Sequence, residues 1–241
     1  MRRGAALLLL LGVSLTAGAA EPLAVARFSA AAPGGLPEGW SPFSFGKFPR
    51  HTDYRLVSDA GVTVLRAEAD ASVSALLRPV SAGPQSLPVM RWRWKVENLL
   101  AKGDIRRREG DDFPARIYVL FDYDPDRLSF ADRAKILLAR VIYGAQVPAA
   151  ALCYVWDNRS PPGTIVPNPY TDRVRMVVVR SGPADLGHWV AEERNIARDF
   201  RAAFGEDPPM ISGIVVAADT DNTGERAVAW FGDISLNPEG R

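Results

Sequence analysis

Arg91-Trp92-Arg93-Trp94-Lys95-Val96 is the stretch that most limits how this chain can fold. Apolar and cationic side chains alternate along it without a break. On a helix, Trp92 and Trp94 would point about 200° apart and neither face would be apolar. A strand, with period two, puts Trp92, Trp94 and Val96 on one face and Arg91, Arg93 and Lys95 on the other. Two large indoles on one face need an apolar layer to bury against, which predicts a second sheet over them. The cations then lie in water, or on a concave outer face where they meet carboxylates or an anionic ligand.

The rest of the chain follows the same pattern. Apolar runs separated by Gly, Pro, Asp and Asn read as strands at Tyr54–Val57, Val62–Glu68, Ser74–Pro79, Val89–Val96, Ala115–Asp122, Leu152–Asp157, Val174–Arg180, Ile211–Ala218 and Ala227–Leu236. Many short strands with turn residues between them predict a mainly β chain, an antiparallel β-sandwich of jelly-roll size. Two inserted helices are expected. Ser129 can cap one running to about Tyr143, with Asp132 placed for a capping-box contact. The second spans about Gly187 to Phe204 and stops at Gly205. Trp189, Ile196, Phe200 and Ala203 would form its buried stripe, with Glu192, Glu193, Arg194, Arg198 and Arg201 on a solvated face.

The first twenty residues read as an export signal: Arg2 and Arg3, an apolar run from Ala6 to Val13, then Ala17-Gly18-Ala19-Ala20 before Glu21. The apolar run is far shorter than the roughly 20 residues needed to span a bilayer. The expectation is therefore a signal peptide over 1–20, one sandwich domain over 21–241, a periplasmic or secreted location, and no transmembrane segment after cleavage. Without Arg2 and Arg3 the chain carries 27 basic against 28 acidic residues, a balance that argues against general nucleic-acid binding. A single cysteine, Cys153 in an apolar strand-like run, allows no internal disulfide and reads as a buried, inert thiol. With only two histidines besides, a His/Cys zinc site is not expected.

Carboxylates are concentrated in two places. Asp111-Asp112 precedes a strand carrying Arg116 and Tyr118 on one face and Ile117, Val119 and Phe121 on the other. Such a pair could bind a cation or sugar hydroxyls, or ion-pair with a neighbouring arginine; strand alternation would turn Asp111 and Asp112 to opposite sides. Asp219-Thr220-Asp221-Asn222-Thr223-Gly224 has the beginning of a calcium loop, as has Asp122-Tyr123-Asp124-Pro125-Asp126. An EF-hand needs a bidentate Glu at position twelve; these loops place Trp230 and Arg133 there. The first therefore reads as a hairpin connection, with Asn222-Thr223-Gly224 making the turn and calcium the alternative. No cofactor is expected otherwise. There is no G-x-S-x-G elbow, H-E-x-x-H or phosphate-cradling glycine loop.

Taken in order, RWRWKVENLL, GDDFPARIYVLFD, ALCYVWDN, the helix ending DFRAAFG, and ISGIVVAADTDNTGERAVAWFGDI resemble the bacterial family called domain of unknown function 3047, from about Phe28 to Leu236. The resemblance implies an exported β-sandwich related in general shape to galactose-binding or lectin-like jelly rolls, and supplies no catalytic residues. It fits a non-catalytic binder of a polar ligand, such as a carbohydrate or another envelope component. The candidate ligand residues are Arg93, Asp112, Arg116, Trp156, Asp157, Asp219 and Asp221. Trp156 would stack on a sugar, Asp112 and Asp157 would accept from hydroxyls, and Arg93 and Arg116 would orient the carboxylates. The alternatives are an envelope glycan hydrolase using an Asp/Glu pair and an envelope protein-interaction module.

Overall fold

The computed structural model describes residues 20–44, 49–122 and 150–240. In chain order the strands are β1 (Leu23–Ala26), β2 (Ser41–Phe43), β3 (Asp53–Asp59), β4 (Val62–Asp70), β5 (Val73–Ala82), β6 (Val89–Val96) and β7 (Arg116–Asp122). They continue with β8 (Ala150–Asp157), β9 (Ile165–Asn168), β10 (Thr171–Ser181), β11 (Val190–Asn195), β12 (Met210–Asp219), β13 (Arg226–Phe231) and β14 (Ile234–Asn237). Helix α1 (Ile196–Phe204) lies between β11 and β12. The first expected helix, with Asp124 and Asp126, lies outside the described residues.

Two sheets face one another. The first runs β1-β14-β6-β13-β4-β3, with β11 along the other edge of β6; the second runs β2-β5-β12-β7-β8-β10-β9. All pairs are antiparallel except β8 and β10, which run parallel. The alternation of β6 works as its sequence requires. Trp92, Trp94 and Val96 point into the inter-sheet core, where Trp92 lies 5.4 Å from Tyr154 and Trp94 lies 6.0 Å from Trp156, ring centre to ring centre. Outside, Arg91 pairs with Glu193 at 2.6 Å and Lys95 with Asp59 at 2.7 Å.

The central strands of the second sheet, β7, β8 and β12, are buried on both faces. Ile117, Val119 and Phe121 of β7 join the inter-sheet core, while Tyr118 and Leu120 join a second cluster on the far side with Cys153, Met176 and Val178. Every residue of β8 is buried accordingly. Cys153 is fully buried, and burial pushes its thiol up, away from the reactive thiolate.

Three expectations are corrected. The segment read as the first half of the second helix is β11, paired with β6 from Val190↔Trp94 to Asn195↔Val89. Its inward positions Glu192 and Arg194 are polar but satisfied. Glu192 accepts from the Trp94 indole N–H at 3.3 Å and from Arg180 at 3.0 Å; Arg194 donates twice to Asp199. The helix begins only at Ile196, with Asn195 accepting from the Arg198 N–H as its cap, and ends at Gly205 with φ 76°. Glu192 and Arg194 are thus half-buried inward residues of a strand, not a solvated helical face. The connection from Asp219 to Arg226 is also no hairpin. Both edges of β12 are taken, by β5 and β7, so the chain crosses to the other sheet to place β13 between β4 and β6. The last expected strand is two, β13 and β14, divided at Gly232-Asp233.

Candidate functional site

At one end of the two sheets the C-terminal ends of β6, β8 and β12 meet the start of β7, and the loops that leave them gather. Glu225 ties two loops together by accepting from the backbone N–H groups of Ala101 and Lys102, both at 2.9 Å. The Lys102 ammonium donates to the Thr223 carbonyl at 2.9 Å. Asp157 accepts from the N–H groups of Arg159 (3.1 Å) and Ser160 (2.6 Å), a side-chain turn that aims Arg159 at the Gly103 carbonyl, 3.2 Å away. Gly110 lets the loop close on itself: a β-carbon there would sit 2.6 Å from the Asp104 nitrogen.

These loops border a half-open cavity of about 400 Å³. Lys102, Asp104, Arg107, Glu109 and Gly110 line one side, Arg159 another, and Asn222 with Thr223 the third. Apart from the glycine, every lining residue is polar or charged. Both signs are present, so donors and acceptors alternate around the opening. Beside it stands Tyr170, 53% exposed. Its hydroxyl bonds to Asn222 Oδ1 at 2.9 Å, and the Arg108 guanidinium lies 5.1 Å from its ring centre.

Beneath the cavity is a buried acidic group. Asp112, 2% exposed, accepts from the Thr223 N–H at 2.6 Å and from the Asn222 backbone and side-chain N–H groups at 3.3 and 3.1 Å. Asp219, 1% exposed, accepts from the Phe113 N–H at 3.3 Å and from Arg116. Arg116 is sandwiched between the rings of Phe113 and Tyr118, 5.5 and 5.3 Å from their centres. Asp111 accepts from Asn168 at 2.8 Å through Oδ2 and faces Arg116 at 3.7 Å through Oδ1. Burial pushes the Asp219 and Asp111 carboxyls up, and it raises Asp221 to about 6, with Asp112 adding to the effect.

Five of the seven candidate residues thus come together at this end: Asp112, Arg116, Asp157, Asp219 and Asp221. Asp111 and Asp112 precede β7 rather than lying in it, so alternation does not separate them: both come near Asp219, and Asp111 also faces Arg116. Asp112, Arg116, Asp157 and Asp219 are nine-tenths buried or more, and their polar atoms hold loops. Two candidates lie elsewhere. Trp156 is fully buried between the sheets against Trp94, because β8 has no outward face; it has no ring surface to offer a sugar. Arg93 lies on the outer face of the first sheet, over the Trp189 ring at 4.6 Å. Residue spacing missed Tyr170, Lys102, Arg107 and Arg159. An aromatic residue in the polar turn Asn168-Pro169-Tyr170-Thr171 was the one signal for Tyr170.

The sequence profile of DUF3047, described as a protein of unknown function, matches residues 38–235. The chain belongs to this family. No curated protein matches it. Among solved structures, the DUF3047 chain is similar to the family 30 carbohydrate-binding module of a Clostridium thermocellum cellulosomal cellulase, at 12% identity and TM-score 0.40, covering 92% of this chain and 100% of that one. It is also similar to the glycoside hydrolase domain of Endo-D from Streptococcus pneumoniae R6, at 10% identity and TM-score 0.36. That match covers 84% of this chain and spans 22% of the other.

Proposed function

We propose that this DUF3047 chain is an exported, non-catalytic protein that binds a polar ligand of the carbohydrate class in the end cavity. The observation that carries this reading is a polar cavity of about 400 Å³ with a half-exposed Tyr170 ring held at its side by Asn222 and Arg108. Ligand cavities usually present apolar walls with a few polar groups; here every lining residue but Gly110 carries a polar or charged group, which suits a ligand whose own surface donates and accepts. Sugar hydroxyls do both, and the C–H face of a pyranose suits an aromatic ring. In this reading Arg107, Arg159, Asp104 and Glu109 meet hydroxyls, Tyr170 stacks, and the buried Asp112, Asp157 and Asp219 keep the loops in place. An export signal at residues 1–20 would put the ligand in the periplasm or outside the cell.

Thermal unfolding of the purified protein against neutral, acidic and amino-sugar oligosaccharides tests the reading. One class should stabilise the fold, by about 2.7 kcal/mol at a hundred times its dissociation constant. Tyr170→Ala and Arg159→Ala should abolish that response while unfolding alone within about 0.5 kcal/mol of the parent. A response to no sugar, or one that survives both substitutions, refutes it. Release of reducing ends that Glu109→Gln abolishes would replace binding with hydrolysis.

A further inference from the structure

On the outer face of the first sheet the cations are paired with carboxylates, with one exception. Lys95 donates to Asp59 at 2.7 Å, Arg66 to Glu68 at 2.6 Å and Arg91 to Glu193 at 2.6 Å. Arg226 lies between Glu68 and Glu97, and Arg55 faces Asp53 at 3.6 Å. The exception is Arg93. Its guanidinium has neither a carboxylate nor a hydrogen-bond acceptor among the described residues.

Arg93 is nevertheless held in place. Its side chain lies across Gly232, between β13 and β14, where a β-carbon would overlap Arg93 Cγ and Nε. The same glycine donates its N–H to the Arg93 carbonyl at 2.9 Å. The guanidinium ends over the Trp189 ring, 4.6 Å from its centre. That ring is fixed in turn. Its indole N–H donates to Asp59 at 2.7 Å, and the Lys95 ammonium lies 5.3 Å from its centre and 4.5 Å from that of Trp230. The Lys95 hydrogen bond holds the Asp59 carboxyl below the ordinary carboxylate range, so Asp59 stays ionised and is matched by Lys95. Arg93 is thus a half-buried, positioned guanidinium whose fork of N–H donors is unused. Ordering a long side chain costs entropy, and here folding has already ordered it.

We propose that Arg93 is an anion site separate from the end cavity, and that it takes the carboxylate of a uronic-acid unit in an acidic glycan. The planar fork matches the two oxygens of a carboxylate, and one carboxylate cancels the one unpaired charge. A phosphate monoester carries about −1.5 to −2 and would leave excess negative charge beside Asp59. Trp189 covers one side of the guanidinium, so the ligand meets its edge or its open side. That the carboxylate belongs to a sugar rests on the carbohydrate reading above; the anion site does not. The alternation of β6 supplies both halves of the arrangement, with Trp92 and Trp94 building the core while Arg93, between them, is turned outward.

The test uses the purified, isotope-labelled protein in about 50 mM salt, where exposed charges are only partly screened. Trigalacturonate should shift the NMR signals of the Trp189 indole N–H and the Arg93 Nε–H, and the neutral galactose trimer should shift neither. Arg93→Gln should lose the response while unfolding at the parent's midpoint. Arg93→Lys keeps the charge without the fork and should bind at least about fivefold more weakly. Gly232→Ala keeps Arg93 but displaces it, and should weaken binding by a similar factor. Tyr170→Ala separates the two sites: it should leave the Trp189 shifts unchanged. Those shifts in a protein whose cavity loops answer no sugar would support the anion site and remove the cavity reading alone. No shift at about 10 mM trigalacturonate, tenfold above a millimolar dissociation constant, overturns the proposal. So does an undiminished response in Arg93→Gln or Gly232→Ala, or equal binding of triglutamate or of a sulfated trisaccharide.

Discussion

Replacing Arg116 by methionine should destabilise the fold far more than replacing Arg116 and Asp219 together. Only 6% of the Arg116 side chain and 1% of the Asp219 side chain are exposed. Arg116→Met leaves the Asp219 carboxylate with the Phe113 N–H as its remaining donor and with Asp111 and Asp112 nearby. Removing one partner of a buried pair in this way costs about 3–5 kcal/mol. The double variant Arg116→Met/Asp219→Leu puts apolar groups of similar size between Phe113 and Tyr118, where the cost falls to about 0–2 kcal/mol. The double-mutant cycle should then return a coupling of at least about 2 kcal/mol. Urea unfolding followed by the fluorescence of the core tryptophans Trp92, Trp94 and Trp156 measures it, in chelator so that no bound cation contributes. If both single variants cost less than about 1 kcal/mol and simply add, Arg116 and Asp219 are not coupled as a buried pair.

Three further outcomes follow from other parts of the fold. Trp156→Ala should cost about 3–5 kcal/mol by equilibrium unfolding, because its fully buried ring packs on Trp94, while Trp156→Phe should leave any sugar response intact. The raised Asp221 carboxyl makes stability depend on pH. Its value rises from 3.8 to about 6 on folding, so the folded state holds the proton more tightly; the resulting stability is full below about 4 and is lost as pH rises through 6. Discounted for its half-exposed position, the difference between the parent and Asp221→Asn should change by about 1 kcal/mol between about pH 7.5 and 5, measured by thermal unfolding in chelator. Gly205→Ala should cost about 1 kcal/mol in the same assay from backbone strain at φ 76°, with no steric clash to add to it.

How much of this could be read from the residues depends on whether each signal is local. Strand β6 runs Val89–Val96 as expected, because Met90, Trp92, Trp94 and Val96 make one wholly apolar face while Arg91, Arg93 and Lys95 follow Val89 on the other. Strand β11 was hidden for the opposite reason. Its inward positions are a glutamate and an arginine, made tolerable by Trp94, Arg180 and Asp199, while Trp189, Ile196, Phe200 and Ala203 mimic one helical stripe across a strand and a helix. The 219–225 connection has good turn residues, and Gly224 does adopt φ 70°. Whether such a turn makes a hairpin or changes sheets depends on β5 and β7 occupying both edges of β12, which no local pattern records. Strand ends drew attention to Asp112, Arg116, Asp157 and Asp219, and β7, β8 and β12 do bring theirs to one end of the fold. Trp156 failed as a platform because β8 is covered on both faces. Tyr170 meets Asn222 only through tertiary structure.

If the end cavity is the ligand site, the loops around it must respond first when ligand is added. Amide NMR of the labelled protein, titrated with the oligosaccharide class that stabilises it, reads this residue by residue. Shifts should concentrate on residues 102–110, 158–160, 170 and 222–224, the loops that line the cavity, and should disappear in Tyr170→Ala. Shifts confined to the outer face of the first sheet, around Arg93, Lys95, Trp189 and Trp230, with the cavity loops unmoved, would contradict it.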